Sequence, residues 1–234
     1  MRTPSTVLAG LLADDPTRPR LTFYDDTAGP TRGERIELSA KVIDNWVAKA
    51  ANALQDEFDV GPGGTVALGL PLAHWRSAYW ALAGWSVGAT VIGGDEPADL
   101  LVTDDPAAST EGDLVLVTLA ALARSHPGPL PPGAFAEARE LATYADRFTP
   151  NAGAPPAQAA WVRGGERTAY DAVVREPDWT HGARVNLDGS SDDVLLDLVS
   201  VWAAGGSAVL VRSPDPALMP ARLESEGVDV DATR

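Results

Sequence analysis

The stretch GTVALGLPLAHWRSAYWALAGWSVGATVIGGD, residues 64–95, limits the choice of fold more than any other part of the chain. Val66, Leu68 and Leu70 follow a Gly-Pro-Gly-Gly turn and read as a buried strand. Residues 73–88 then read as an apolar helix ended by Gly88, and ATVIGGD as a second strand. A strand, a helix and a strand in immediate succession make a crossover, which predicts parallel strands with helices packed on the sheet.

The same alternation extends along the chain. Val42, Ile43, Trp46, Val47, Ala50, Leu54 and Phe58 recur at helical spacing behind Ser39, a suitable N-cap. Residues 99–104 and 113–119 read as further strands, HPGPLPPG as a stiff connector, and residues 134–148 as a helix. After a second connector at 149–157, QAAWV reads as a strand and SDDVLLDLVSVWAAGG as a helix. SAVLVR, DPALMPARLESEG and VDVDAT read as strand, helix and strand. The expected fold is α/β, with layered, mostly parallel sheets covered by helices. A single domain over 1–234 is expected, with sub-lobes 1–126 and 157–234 joined by the proline-rich connector and helix.

The chain carries a net charge of −15, which sets its field against a nucleic-acid backbone. No apolar run is long enough for a membrane-spanning helix, and the N-terminal 20 residues read as a first helix, not a leader. A cytoplasmic protein without nucleic-acid or membrane partners is expected. There is no cysteine, so thiolate chemistry is excluded. Lys41 and Lys49 are the only lysines.

Residues 21–95 resemble the N-terminal part of adenylate-forming enzymes, the acyl-CoA synthetase and AMP-dependent ligase superfamily. The resemblance lies in the ELS entry to a helix, in VGPGGTVAL, and in an apolar helix leading to AGWSVGATVI. It resumes at LLDLVSVWAAGGSAVLV. The segment LPPGAFAEARELATYADRF is similar to a group of short actinobacterial synthetase-like proteins. The resemblance implies a truncated version of the family's N-terminal domain.

It also implies a slot for the phosphate loop just after QAAWV, at WVRGGERT. Arg163, Gly164, Gly165, Arg167 and Thr168 are therefore the candidate nucleotide-binding residues, and a solvated turn is the alternative reading. The family's loop has several hydroxyls and a lysine, and this segment has one threonine and no lysine. An aromatic-Gly-x-Thr-Glu segment for adenine and magnesium is missing too, as is a later catalytic lysine. Removing one such transition-state donor costs roughly 100- to 1000-fold in rate.

His74 and Trp75 fall where the resemblance implies the edge of a substrate pocket; a capping or partly exposed histidine is the alternative. The acidic run DGSSDD, residues 188–193, lacks the spacing of a calcium loop, so Ser191 or Asp192 is expected to cap the following helix. Trp75, Trp80 and Trp85 step by five along one helix, which favours core packing over a stacking shelf. The three histidines have no metal spacing, and no metal site is expected. The function expected is a catalytically inactive, AMP-ligase-like binding or interaction module with no cofactor. A homodimer or protein partner would cover the surfaces such a domain leaves bare. The alternative is a residual carboxylate-adenylating enzyme using ATP and magnesium.

Overall fold

The computed structural model describes residues 2–94, 96–176 and 179–233. In chain order the elements begin with α1 (Pro4–Asp14), β1 (Pro19–Asp25), β2 (Arg35–Ser39), α2 (Ala40–Asp56), β3 (Thr65–Gly69), α3 (Trp75–Val87) and β4 (Thr90–Gly93). Next come β5 (Leu100–Thr103), β6 (Asp113–Leu116), β7 (Phe135–Ala136), α4 (Glu137–Glu140), β8 (Ala159–Arg163) and β9 (Glu166–Ala169). The rest are β10 (Arg184–Asn186), α5 (Val194–Ala203), β11 (Ser207–Arg212), α6 (Met219–Ser225) and β12 (Val230–Asp231). The α/β expectation holds. Asp95, last in the stretch read as the second strand of the crossover, lies outside the described residues.

The chain forms two compact units, each built on one sheet. The first takes residues 44–70 and 79–173 and holds a seven-stranded sheet in the order β7-β6-β5-β3-β4-β8-β9. Its strands are parallel except for the β8–β9 pair, and β3 lies beside β4 as the crossover requires. Val66, Leu68, Val91, Leu100 and Val102 are fully buried, as strands covered on both faces should be. Trp80, Trp85 and Trp161 are buried with them, and Trp85 Nε1 donates to the Ala160 carbonyl at 2.8 Å. A β-carbon at Gly93 would stand 2.7 Å from the Trp161 ring, so β4 needs a glycine there.

The second unit takes residues 2–43, 71–78 and those from 174 onward, around a sheet ordered β12-β10-β11-β1-β2. Here β1 and β11 pair in parallel, Leu21 against Ala208 and Phe23 against Leu210. Arg20 is fully buried on β1, and its guanidinium donates to the carbonyls of Gly205 and Gly206 and to Asp14. It thereby ties the end of α1 to the turn between α5 and β11. Trp202 adds a 2.9 Å bond from its indole to the Arg20 carbonyl. The connector at 126–133 belongs to the first unit.

Two local expectations fail. Residues 134–148 form no continuous helix, only β7, the single turn α4 and a 3₁₀ turn at Leu141–Thr143. Side chains of α2 take the carbonyls that a helix would use. Lys49 Nζ binds those of Ala142 and Tyr144, and Asn52 Nδ2 those of Ala145 and Arg147. At α5 the N-cap is Asp193, not Ser191 or Asp192. Its carboxylate makes no cap bond and instead pairs with Arg175 at 2.7 Å. Ser39 does cap α2, accepting from the Val42 amide at 3.3 Å.

Candidate functional site

The loop expected to hold phosphates is a two-residue hairpin. β8 and β9 run antiparallel with Arg163 opposite Glu166 and Val162 opposite Arg167. Gly164 and Gly165 make the turn with φ of +55° and +83°, the left-handed pair that tight hairpins favour. A β-carbon on either would meet nothing within 4 Å among the described residues, so the side-chain direction of both opens onto space. Residues paired across a ribbon share a face and successive residues alternate, so Arg163 and Arg167 stand on opposite faces. They cannot close on one anion. Arg163 instead donates to the Gly93 carbonyl on the neighbouring strand, Arg167 is exposed, and Thr168 is half-buried opposite Trp161.

His74 and Trp75 are buried at the start of α3. His74 Nδ1 accepts from the Arg76 amide at 3.1 Å and its ring lies 4.5 Å from that of Phe23. The Arg76 guanidinium sits 4.4 Å over the Trp75 ring. His74 therefore caps its helix, while the three residues before it face a cavity.

That cavity, of about 770 Å³, lies within the second unit, where β10, β11 and β12 all end. β10 has β11 on one side and β12 on the other, and open α/β sheets hold their ligand crevices at the strands' carboxyl ends. Leu72, Ala73, Leu187, Val211, Met219 and Leu223 give it an apolar wall. Its volume falls in the range of small-molecule sites, roughly 300–1000 Å³. The loop after β10 passes so close to its neighbours that a β-carbon at Gly189 would stand 2.8 Å from that of Ala73 and 3.0 Å from the Val211 carbonyl.

Polar residues line the cavity as well. Asn186, 1% exposed, donates from Nδ2 to Asp231 Oδ1 at 2.9 Å, while its own Oδ1 accepts from no described group. Asp231 Oδ1 also accepts from the amide and hydroxyl of Thr233, and Asp188 Oδ1 from those of Ser190. Arg212 reaches Asp25 at 3.3 Å. Burial pushes the Asp25 carboxyl up, but hydrogen bonds from Thr27 and Thr31 and the Arg212 charge outweigh this and hold it below the usual range.

α6, which supplies Met219 and Leu223, is pinned on its other side. Arg222 grips Asp26, and Glu226 receives hydrogen bonds from Arg35, Tyr24 and Arg184. Burial raises the Glu226 carboxyl, and those three donors outweigh it and bring it down to about 2. The sequence offered little sign of this site. Its lining comes from segments around 71–73, 186–190, 211–223 and 231–233.

No family model matches the chain. A Mycobacterium tuberculosis TIGR03089 family protein is 34% identical over 256 residues, covering 97% of this chain and 98% of its own length. The chain belongs to the TIGR03089 family. Among solved structures, this family member is similar to a Brucella canis acyl-CoA synthetase (TM-score 0.73, 14% identity) and to acetoacetyl-CoA synthetase from Streptomyces lividans (0.73, 15%). Coronafacic acid ligase from Pectobacterium brasiliense matches equally well (0.73, 9%). Each match covers 98% of the TIGR03089 chain but only 47%, 42% and 49% of the other. The chain thus spans about half the length of these structures, and its fold is that of the N-terminal domain of adenylate-forming enzymes.

Proposed function

We propose that this TIGR03089 protein is a non-adenylating, small-molecule-binding relative of the adenylate-forming enzymes, and that the cavity at the ends of β10, β11 and β12 is its ligand site. The observation that carries the reading is the cavity itself: lined by apolar and polar residues together, and set where open α/β sheets bind ligands. Two further facts support the loss of adenylation. A two-residue hairpin stands where the resemblance implies a phosphate loop, and no lysine follows Lys49. Preorganised cations are what stabilise the charge that builds up in adenylyl transfer.

The test has two arms. A ligand at 100 times its dissociation constant adds about 2.7 kcal/mol, roughly 5–10 °C in Tm for a chain of this size. A neutral amphiphile, 1-octanol, is expected to raise Tm, and Leu223→Trp, which fills the cavity, is expected to remove that rise. Mg-ATP is expected to leave Tm unchanged, with no carboxylate-dependent pyrophosphate exchange. A Tm rise with Mg-ATP together with exchange would establish the residual ligase instead.

A further inference from the structure

We propose that a second pocket, separate from the cavity, binds a small carboxylate with a compact apolar body. The pocket has a volume of about 390 Å³ and lies within the second unit, among α1, the end of α5 and the loop before β10. Val7, Leu11 and Trp202 contribute apolar side chains to its lining, and Arg2, Arg18 and His181 contribute basic ones, all three exposed. Among the described residues neither arginine has a carboxylate partner. The Arg18 guanidinium makes one long contact, 3.5 Å from Nη2 to the Gly182 carbonyl, and that of Arg2 makes none. Acidic residues outnumber lysine and arginine 33 to 18 in the chain, so scarcity of carboxylates does not explain two guanidinium groups left over in one pocket.

The groups that would repel an anion there are already engaged. Asp14 is the one carboxylate among the described lining residues, and the buried Arg20 guanidinium holds it at 2.7 Å. Asp15, next in the chain, accepts from the amides of Thr17 and Arg18 and from the Thr17 hydroxyl. The carbonyls at the end of α5 carry the negative pole of that helix. That of Ala204 accepts from the Gly182 amide at 2.9 Å, and those of Gly205 and Gly206 accept from Arg20.

Gly10 is an independent sign that the pocket is kept open. Glycine inside a helix costs about 1 kcal/mol relative to alanine. Gly10 stands within α1 without a left-handed φ, and a β-carbon there would meet nothing within 4 Å. Neither backbone nor packing asks for glycine at this position, and its lack of a side chain leaves room in the pocket it lines. The net charge of −15 disfavours an anion at long range, but physiological salt screens charges beyond about 8 Å, and the lining arginines act inside that distance. A monovalent head group meets less of the long-range repulsion than a phosphate dianion does, which favours a carboxylate for the guanidinium forks.

The experiment titrates the protein with benzoate, benzyl alcohol, benzylammonium and phenyl phosphate at neutral pH by calorimetry. Binding is read as the part that Gly10→Leu removes, so that anything held in the larger cavity cancels. Leucine raises the helical propensity of α1, so this variant is expected to fold. Benzoate is expected to bind most tightly, about tenfold or more above the alcohol and the ammonium. Arg2→Gln and Arg18→Gln are each expected to weaken it by about fivefold. Arg124→Gln, which removes an exposed arginine from the first unit, is expected to leave it unchanged. An equal loss in Arg124→Gln would show a general charge effect and overturn the site. Benzyl alcohol or benzylammonium binding as tightly as benzoate would overturn the anion assignment, and tighter binding of phenyl phosphate would overturn the carboxylate. Benzoate binding that is absent, or unchanged in Gly10→Leu, would overturn the whole proposal.

Discussion

Arg222 holds Asp26 with both arms of its guanidinium, at 2.9 and 2.8 Å, and lies 4.2 Å over the ring of Tyr24. Both partners are almost wholly buried, with side-chain exposures of 9% and 6%. The pair fixes α6 to the β1 end of its sheet, and α6 in turn walls the cavity. Removing one member strands the other charge, which typically costs about 3–5 kcal/mol. Arg222→Ala and Asp26→Asn are each expected to lower stability by about that amount in urea titrations. Arg222→Lys should recover only part of it, since an ammonium cannot make the two-armed contact.

Glu226 makes the same helix sensitive to acid. Its carboxyl is held down at about 2, against an ordinary value of 4.5. The fold therefore favours the charged form, and the stabilisation is complete above the ordinary value. It is lost as pH falls from about 4.5 toward 2, and amounts to about 3 kcal/mol at full strength. Urea midpoints measured across that window should fall steeply for the unaltered protein. They should fall less for Glu226→Gln, which starts from a lower plateau.

The hairpin at Gly164–Gly165 predicts an asymmetric response to substitution. Asparagine tolerates the left-handed backbone and is favoured at the first turn position, so Gly164→Asn should be close to neutral. Gly165→Val places a β-branched residue at φ +83° and should cost about 1–2 kcal/mol or more. A phosphate-binding loop would instead show its loss in nucleotide binding. Thermal melts of the two variants, with and without Mg-ATP, distinguish these cases.

Gly189→Ala tests the cavity wall. The added carbon would press on Ala73 and the Val211 carbonyl at 2.8 and 3.0 Å, so the loop after β10 must shift. A loss of about 1–3 kcal/mol is expected. Weaker binding of 1-octanol should accompany it, because the displaced loop carries Leu187 and Asp188. Calorimetry on the purified variant reads both.

Sequence periodicity was sufficient for elements whose partners lie nearby in the chain. β3, α3 and β4 were read from the spacing of Val66, Leu68 and Leu70 and the apolar helix after them, and they pair as a crossover should. β1, β2, β9 and β10 escaped that reading. β9 is only the return arm of a glycine turn, and β10 has three residues, too few for a pattern. β1 takes its meaning from β11, far along the chain. The misread helix at 134–148 failed for a similar reason, since Lys49 and Asn52 outbid its own amides from another element. Of the site residues, His74 and Trp75 lay within three positions of the cavity wall at Pro71–Ala73, yet their side chains turn inward. Nothing local in Asn186 or Leu223 marks either as lining a cavity.

The pairing of β1 with β11 also bears on how the protein is born. A ribosome that has released residues up to 173 has delivered every strand of the seven-stranded sheet, which can close while translation continues. β1 and β2 leave the exit tunnel far earlier, but β11, the strand that pairs with Leu21 and Phe23, is not made until after the whole of that sheet. From the synthesis of β2 to that of β11 the nascent chain therefore carries a hairpin without its sheet neighbour, so a segment that emerges early waits long for its place.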